Sequence, residues 1–272
     1  STQGYSSAAS DVYKRQTGIC ANAQCGAVND AIKPGEELSY ELKFNWKFIW
    51  INAGWAKMTV DTTTYNGMKC LRTDLESFTN KRIDMFFRMR DTLTCITSDE
   101  LVPLYFRKGA AEGKRYSVDD VKFSYRNGKC IVDQYRIVNG NLRKNYQESS
   151  VCVYDMLSIL LQARSYDATN YNIGDKILFS MATGKDVDKQ TLIYRGKDVY
   201  KAEDGCKYRC LVFSLVEYVK GEEKEVITFY VTDDRNHLPV RLDMYLNFGS
   251  AKAFLTKIKG NKYPLDLSLI HI

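Results

Sequence analysis

Few side chains of this chain could do acid–base or nucleophilic chemistry. It has two histidines, and His237 follows Asp233 and Asp234, so a Ser-His-Asp arrangement is the sharpest catalytic hypothesis. Such a triad needs a serine held on a sharp turn, and the sequence contains no Gly-x-Ser-x-Gly motif. A histidine directly before Leu238-Pro239 is more typical of a solvated turn. We therefore predict no catalytic residue, and a hydrolase is the least favoured class.

Metal, cofactor and nucleic-acid sites are not indicated either. Histidine, cysteine and carboxylate residues do not cluster at ligand spacing, and no Cys-x-x-Cys pair occurs. The formal net charge is +6, but no run of lysine and arginine is present that could follow a phosphate backbone. The sequence predicts no metal, no cofactor and no nucleic-acid partner.

An alternation of aromatic residues is the feature best suited to binding a ligand. Phe44, Trp46, Phe48 and Trp50 would lie on one face of an extended strand, because side chains alternate along it. Such a stripe could line a groove for an acyl chain or stack on sugar rings, but a half-buried strand shows the same stripe to its own core. Both interpretations stay open. The predicted ligand-binding set is Phe44, Trp46, Phe48, Trp50, Trp55, Met156 and Leu160.

Turn signals divide most of the chain into antiparallel strands. Asn66-Gly67, Asn127-Gly128 and Asn139-Gly140 supply the positive φ angles that tight hairpins require. The runs between such turns are rich in Tyr, Phe, Val and Thr, and one of them, Ile83–Thr97, reads as a continuous strand. The hydrophobic content of 44% is ordinary for a globular chain. We predict a single mainly β domain over residues 35–265.

One segment breaks this alternation. From Val151 to Ala163 the chain is apolar around nearly its whole circumference, and Ser149 or Ser150 could cap it as a helix. It is too short to cross a bilayer, and no apolar run in the chain approaches the ~18 residues that crossing requires. The predicted fold is a strongly curved antiparallel sheet or open barrel, with one buried helix at about 151–164 packed on its concave face.

The segments on either side of this helix resemble each other. Thr97–Leu104 and Thr232–Val240 each run from a strand through an acidic turn to a proline that begins the next strand. Two similar half-sheets, 35–148 and 172–260, would explain the similarity. Two short turns can also share the same turn-forming residues independently. Whether the sheet consists of two related halves therefore stays open.

The two ends of the chain look like one stretch of DNA read from opposite strands. Asp11–Gln16 can be encoded by GATGTGTATAAGAGACAG, and the reverse complement of that stretch encodes Leu267–Ile272. It resembles a transposase end used to build fragment libraries. We therefore interpret residues 1–16 and 267–272 as cloning or assembly scars and exclude them from fold reasoning.

The residues that follow the first scar indicate export. Ala21-Asn22-Ala23 matches the A-x-A pattern of a signal-peptidase site. Residues 17–23 are accordingly interpreted as the remnant of a signal peptide, and residues 24–34 as a lead-in to the domain. The predicted location is the periplasm or cell envelope.

The cysteines fit an exported protein without fixing a disulfide pattern. Of eight cysteines, Cys20 precedes the predicted cleavage site, which leaves seven and at least one unpaired. Cys206 and Cys210 in one strand would be about 13 Å apart, too far for a mutual bridge. A bridge between Cys70 and Cys95 on neighbouring strands is a candidate, and the others are expected to be buried thiols.

Several segments together carry a family signature. They are Pro34-Gly35-Glu36, Ala53-Gly54, Asp84, Asp155–Ser158 with Arg164, Phe229–Arg235, Leu238–Arg241, Phe248–Ser250 and Ala253–Leu255. In these segments the chain resembles domain of unknown function 3108, over most of residues 34–260. The resemblance implies an exported envelope protein of Gram-negative bacteria with a mainly β fold, and it implies no catalytic residue. A looser likeness, in architecture only, is to periplasmic lipoprotein carriers, in which a curved sheet holds a helix and an acyl chain.

These observations favour a non-enzymatic exported protein. The leading hypothesis is the binding of a lipid, acyl-bearing or other hydrophobic ligand between sheet and helix. The alternatives are a structural or protein-interaction module of the envelope, with another envelope protein as its partner, and a carbohydrate-contacting protein.

Overall fold

Antiparallel strands, each hydrogen-bonded to the next along the chain, make up most of the molecule. A computed structural model describes residues 25–46, 49–167, 169–203, 205–246 and 249–266. The strands are β1 (Glu36–Trp46), β2 (Ile49–Tyr65), β3 (Met68–Thr79), β4 (Met89–Thr97), β5 (Pro103–Glu112), β6 (Arg115–Arg126), β7 (Lys129–Val138), β8 (Asn141–Ser149), β9 (Val153–Tyr154), β10 (Lys176–Ala182), β11 (Val187–Lys201), β12 (Lys207–Val219), β13 (Glu222–Thr232), β14 (Pro239–Leu246) and β15 (Gly249–Lys259). The helices of this described part are α1 (Lys81–Asp84) and α2 (Met156–Ala163).

All fifteen strands belong to one sheet that curls almost into a barrel. Its order runs from β8 back to β1, then through the pairing of β1 with β15, and from β15 back to β9. The turn between β10 and β11 meets the opposite edge through side chains: the Gly184 amide donates to Gln134 Oε1 at 2.9 Å, and Asn145 Nδ2 donates to the Lys185 carbonyl at 2.7 Å. The predicted curved sheet or open barrel is confirmed.

The three Asn-Gly hairpins form as predicted. Asn66, Asn127 and Asn139 have φ angles of 50°, 52° and 47°, and the glycine after each also has a positive φ. Two consecutive left-handed residues give the turn a twist that matches the twist of the flanking strands. These turns join β2 to β3, β6 to β7 and β7 to β8.

The continuous strand predicted for Ile83–Thr97 is wrong in its first half. Helix α1 ends at Asp84, and strand β4 begins only at Met89. Asn80 starts the helical turn, because its side-chain oxygen accepts from the amides of Arg82 and Ile83, both at 3.1 Å.

The central helix is shorter than the predicted 151–164 segment and is capped elsewhere. Asp155, not Ser149 or Ser150, is its N-cap: its carboxylate accepts from the amides of Leu157 and Ser158 at 2.9 Å, and Ser158 Oγ accepts from the Asp155 amide at 2.9 Å. Ser149 ends β8, and the two residues of β9 pair in parallel with β10.

The helix packs inside the curved sheet, as predicted. Leu157, 2% exposed, joins a core formed by β4 to β7, whereas Leu161 contacts a cluster with Ile32 and Leu101. Leu160 packs on a third cluster around Tyr40. The buried side also contains polar Ser158 and Gln162, so the helix is not apolar on every side. No helix in the described part of the chain has the length and hydropathy to cross a membrane.

The disulfide pattern differs from the predicted one. Cys25 is bonded to Cys152, with Cα atoms 5.3 Å apart, whereas Cys70 and Cys95 are buried free thiols. Although β3 and β4 are neighbours, Cys95 lies opposite Thr73. An offset of three residues along the strand, roughly 10 Å, separates it from Cys70 and prevents a bridge.

Candidate functional site

The two ends of the barrel are built differently. We call helix end the end that carries the β4–β5 and β13–β14 turns, where the C-terminal residues of α2 lie. At this end Gln162 Nε2 donates to the Leu101 carbonyl at 3.1 Å, and Arg164 Nε donates to the Asn236 carbonyl at 3.2 Å. We call far end the opposite end, which carries the β1–β2, β3–β4, β5–β6, β7–β8, β10–β11, β12–β13 and β14–β15 connections.

A buried ion pair anchors α2 to the first strand at the helix end. Arg164 donates to Glu36 through both terminal nitrogens, at 2.6 and 2.8 Å, and both side chains are at most 1% exposed. The bidentate geometry and the additional Asn236 carbonyl satisfy a charge pair that would otherwise be costly to bury. Sequence reasoning found these two residues only as parts of the family signature.

The ion pair shows which face of β1 is directed toward α2, because Glu36 on that face contacts Arg164. Glu36, Leu38, Tyr40, Leu42 and Phe44 alternate along β1 and therefore share one face, because the bulges of its two ladders lie in β2 and β15. Leu38 and Tyr40 are buried in the cluster that Leu160 contacts. Phe44, at the far end of the strand, thus lies on the helix-facing side.

From Phe44 a continuous apolar row crosses eight strands. Residues directly opposite each other in neighbouring strands lie on the same face, and the partners of Phe44 can be followed from strand to strand. The row, called here the apolar row, consists of Ile51, Phe44, Ala251, Met244, Ile227, Leu215, Leu192 and Ile177. Every member is partly exposed. An inward surface of apolar side chains is therefore left incompletely covered.

A second apolar row lies next to it, toward the helix end. Its members are Leu42, Ala253, Leu242, Phe229, Phe213 and Tyr194. Tyr171, from the segment after α2, packs on the Tyr194 ring at a centroid distance of 5.8 Å and covers part of this row. Between the two rows, Lys43, Lys252 and Asp243 occupy the opposite face of the sheet. In β1, β15 and β14 the alternation thus places apolar side chains inside and charged ones outside, whereas in β13, β12 and β11 the same opposite-face row continues through the buried Thr228, Ser214 and Ile193.

Strands β4 to β7 carry charges on their helix-facing side near the far end. Leu93 lies opposite Lys108, which lies opposite Asp119, which lies opposite Arg136. Asp119 and Arg136 approach to 3.5 Å. Burial raises the pKa of Asp91, one pleat further out, to about 6. This group of four, Asp91, Lys108, Asp119 and Arg136, is called the polar wall.

The predicted aromatic stripe is not a single face, because the chain reverses between Trp46 and Ile49. Trp50 lies opposite Asn45 and Trp55 opposite Glu41, so both tryptophans are on the outer face, away from Phe44. They are 40% and 47% exposed. Trp50 carries Lys252 over its ring at 4.8 Å, and Trp55 stacks on Phe78 at 4.7 Å.

The other predicted binding residues are divided between the helix and the first hairpin. Leu160 is partly buried against the same cluster as Leu42, whereas Met156 at the start of α2 is exposed. Trp46 ends β1, although its side chain is not among the described ones, and Phe48 lies outside the described residues. Of the predicted set, the structure thus brings Phe44 and Leu160 to the inside of the sheet.

His237 lies in a cleft of about 430 Å³ at the helix end, together with Asp233, Asp234 and Ser165. Its Nδ1 is 2.7 Å from the Arg164 carbonyl, so Nδ1 carries the proton and donates. A catalytic histidine of a triad is instead oriented by a carboxylate. The geometry assigns this ring to holding the β13–β14 turn against the end of α2.

Comparison with known proteins places the chain in a family without a described activity. The model of the family "Protein of unknown function (DUF3108)" matches residues 39–256. A β-barrel-like protein of domain of unknown function DUF1849 from Brucella abortus is similar in structure, with a TM-score of 0.53 and 10% identity, over 82% of this chain and 96% of that one. A protein from Bacteroides fragilis, whose description names it as exported and YmcC-like in fold, has a TM-score of 0.35 and 10% identity, over 86% of this chain and 100% of that one. No curated protein matches.

Proposed function

The chain belongs to the DUF3108 family of proteins of unknown function, so we propose a function from the geometry of its candidate site. We propose that it is an exported, non-enzymatic protein that binds a hydrophobic or acyl-bearing ligand along the apolar row. The single observation that carries the proposal is that this inward row is unbroken over eight strands and incompletely covered. A core position is normally covered by other side chains, whereas the apolar lining of a binding site is covered only when the ligand is bound.

The dimensions of the row suit an elongated ligand. Seven interstrand gaps of about 4.8 Å give it a length of roughly 34 Å along the sheet. An extended apolar chain lying across the strands would remove side chains such as Phe44, Met244 and Leu215 from water, at roughly 25 cal/mol for each Å² of apolar surface buried. The polar wall would face the other side of such a ligand and could select a polar head.

The proposed position differs from the one expected from sequence. The space between α2 and strands β4 to β7 is filled by buried side chains, among them Leu157, Cys95 and Val121. A ligand would therefore lie beyond the helix toward the far end, and not beneath the helix.

The disulfide supports the exported location. Disulfides persist in oxidising compartments such as the periplasm and are rare in a reducing cytosol. Cys25 and Cys152 are 127 residues apart in sequence and are bonded in the folded chain. The location itself remains part of the proposal.

A fluorescent fatty acid tests ligand binding. We expect the purified chain to bind cis-parinaric acid, and the double variant Leu215→Asn/Ile227→Asn to bind it at least tenfold more weakly, because two inward side chains of the row become polar. Tyr245→Asn is the matched control, since Tyr245 is exposed beside Met244 on the opposite face. Circular dichroism checks that each variant is folded.

Two outcomes would remove the proposal. One is an unliganded protein that binds no acyl probe and carries no co-purified lipid in native mass spectrometry. The other is equal binding by the double variant and the parent chain. Either outcome would favour a structural or protein-interaction role in the envelope, with the rows serving only as core.

A further inference from the structure

The connection between β3 and β4 presents apolar side chains to solvent. Met85 and Phe86 are 76% and 83% exposed, and Phe87 is exposed beside them. Monomeric proteins rarely leave several large apolar side chains together at a loop tip without a function. This segment is called here the apolar tip.

The apolar tip is held rigidly. Asn80 caps α1 and also donates from Nδ2 to the Asn52 carbonyl at 2.8 Å, which ties the connection to β2. Asp84 accepts from Arg90 Nη1 at 3.0 Å. On the other side, the Gly113 amide donates to the Arg88 carbonyl at 2.7 Å. Side chains presented by such a braced turn lose little conformational freedom when they are buried.

Other exposed apolar residues lie at the same end of the barrel. Neighbouring hairpins contribute Ile49, Trp50, Tyr116, Tyr245 and Leu246, each at least 40% exposed. Since β14, β15 and β1 to β6 are consecutive neighbours in the sheet, their connections follow one another along the rim of the far end. Tryptophan and tyrosine are the residues that prefer the boundary between membrane and water.

Cations lie beside the apolar tip, on the β3–β4 connection itself and on the neighbouring β5–β6 turn. Lys81, Arg82, Arg88, Lys114 and Arg115 are exposed, and none of them is within salt-bridge distance of a carboxylate in the described part of the chain. The carboxylate of the connection itself, Asp84, is already paired with Arg90. The sector of the far end formed by the β3–β4 and β5–β6 connections thus combines exposed apolar side chains with an excess of positive charge outside ion pairs.

We propose that the far end docks onto the surface of an anionic lipid bilayer, with the apolar tip inserted among the headgroups and the cations on the lipid phosphates. Apolar side chains gain by leaving water, and nearby lysine and arginine are attracted to an anionic surface. A protein partner would have to supply a separate carboxylate for each cation, whereas a bilayer offers many phosphates at once. The proposal does not depend on a ligand in the apolar row.

Sedimentation with lipid vesicles tests the docking. The full chain is expected to bind phosphatidylglycerol-containing vesicles and to lose at least tenfold in affinity on pure phosphatidylcholine. Met85→Ser/Phe86→Ser/Phe87→Ser should lower binding at least tenfold, and Arg82→Gln/Arg88→Gln by about fivefold for each charge. Val28→Ser/Met68→Ser is the matched control, because these residues are 84% and 53% exposed but lie at the helix end, beside the β4–β5 turn and directly after the β2–β3 turn; it should bind like the parent.

A tryptophan placed in the apolar tip measures its insertion into the bilayer directly, without relying on variants that lose binding. The added emission of Phe86→Trp should shift to the blue on anionic vesicles and be quenched by brominated acyl chains, whereas that of Met68→Trp at the helix end should not change. Failure of the parent chain to bind vesicles, equal binding by the triple variant, or an unquenched Phe86→Trp would each overturn the proposal. Binding of cis-parinaric acid without vesicles is measured separately and reports only on the apolar row.

Discussion

At the scale of single residues, the pair of Glu36 and Arg164 links the sheet to its helix. Removing one partner of a buried ion pair leaves the other charged and unsatisfied. Glu36→Gln should therefore lower the free energy of unfolding by about 3–5 kcal/mol, as measured by urea denaturation. Glu148→Gln, which breaks the exposed pair with Lys129, is the control and should cost at most about 1 kcal/mol. Similar costs for the two variants would contradict the structural role given to the buried pair.

Asp91 should make stability depend on pH. Its pKa of about 6 in the folded protein, raised mainly by burial, exceeds the ordinary value for an aspartate, so between these two pH values the folded chain binds more protons than the unfolded one. Stability should therefore rise as the pH falls from above 6 toward 4.

Replacement of Asp91 by asparagine removes this titration. Asp91→Asn should be more stable than the parent at pH 8, by about 1–2 kcal/mol, and the advantage should vanish near pH 4, where the parent carboxyl is protonated. Thermal unfolding at the two pH values measures the difference. An advantage of equal size at both would show that packing, and not charge, is responsible.

At the scale of elements, turns marked by Asn-Gly could be predicted from the sequence. Turns without such turn-forming residues could not. Asn66-Gly67 and its two counterparts form the predicted hairpins because their conformation depends on the turn residues alone. The reversal after Trp46 carries no such residues, so the aromatic alternation appeared to continue through it. Ala53 is the extra residue of a bulge inside β2, and the strand continues past it.

The first residue of α2 also could not be predicted from the local sequence. Asp155 as cap, with Ser158 completing a capping box, was readable in the sequence, but the apolar residues before it made a longer helix equally plausible. Tertiary pairing decided the question, because Val153 and Tyr154 hydrogen-bond to β10 instead of joining the helix.

The disulfide ties the lead-in segment to the chain just before α2. Since it closes a loop of 127 residues, its loss should cost about 2–5 kcal/mol. Cys25→Ser/Cys152→Ser should have a lower denaturation midpoint than the parent, and reductant should lower the midpoint of the parent but not that of the variant. A parent midpoint unaffected by reductant would contradict a stabilising bridge.

At the scale of the whole molecule, the curvature of the sheet could be predicted from the sequence. The pairing of β1 with β15, which nearly closes the sheet into a barrel, could not. Turn spacing and an apolar central segment predicted a sheet wrapped around a helix, because each follows from periodicity. The pairing of Tyr40 with Leu255 joins residues far apart in sequence, and no local pattern encodes it. The apolar row exists only through this pairing, so sequence reasoning identified Phe44 but none of the partners that complete the surface.

Photo-crosslinking with a diazirine-bearing fatty acid, followed by peptide mass spectrometry, tests most directly whether the inside of the sheet is a ligand site. The account predicts that labels concentrate on the apolar row, at residues such as Phe44, Leu215 and Met244, and that unlabelled fatty acid competes them away. Labels confined to the outer face around Trp55, or scattered without competition, would contradict it.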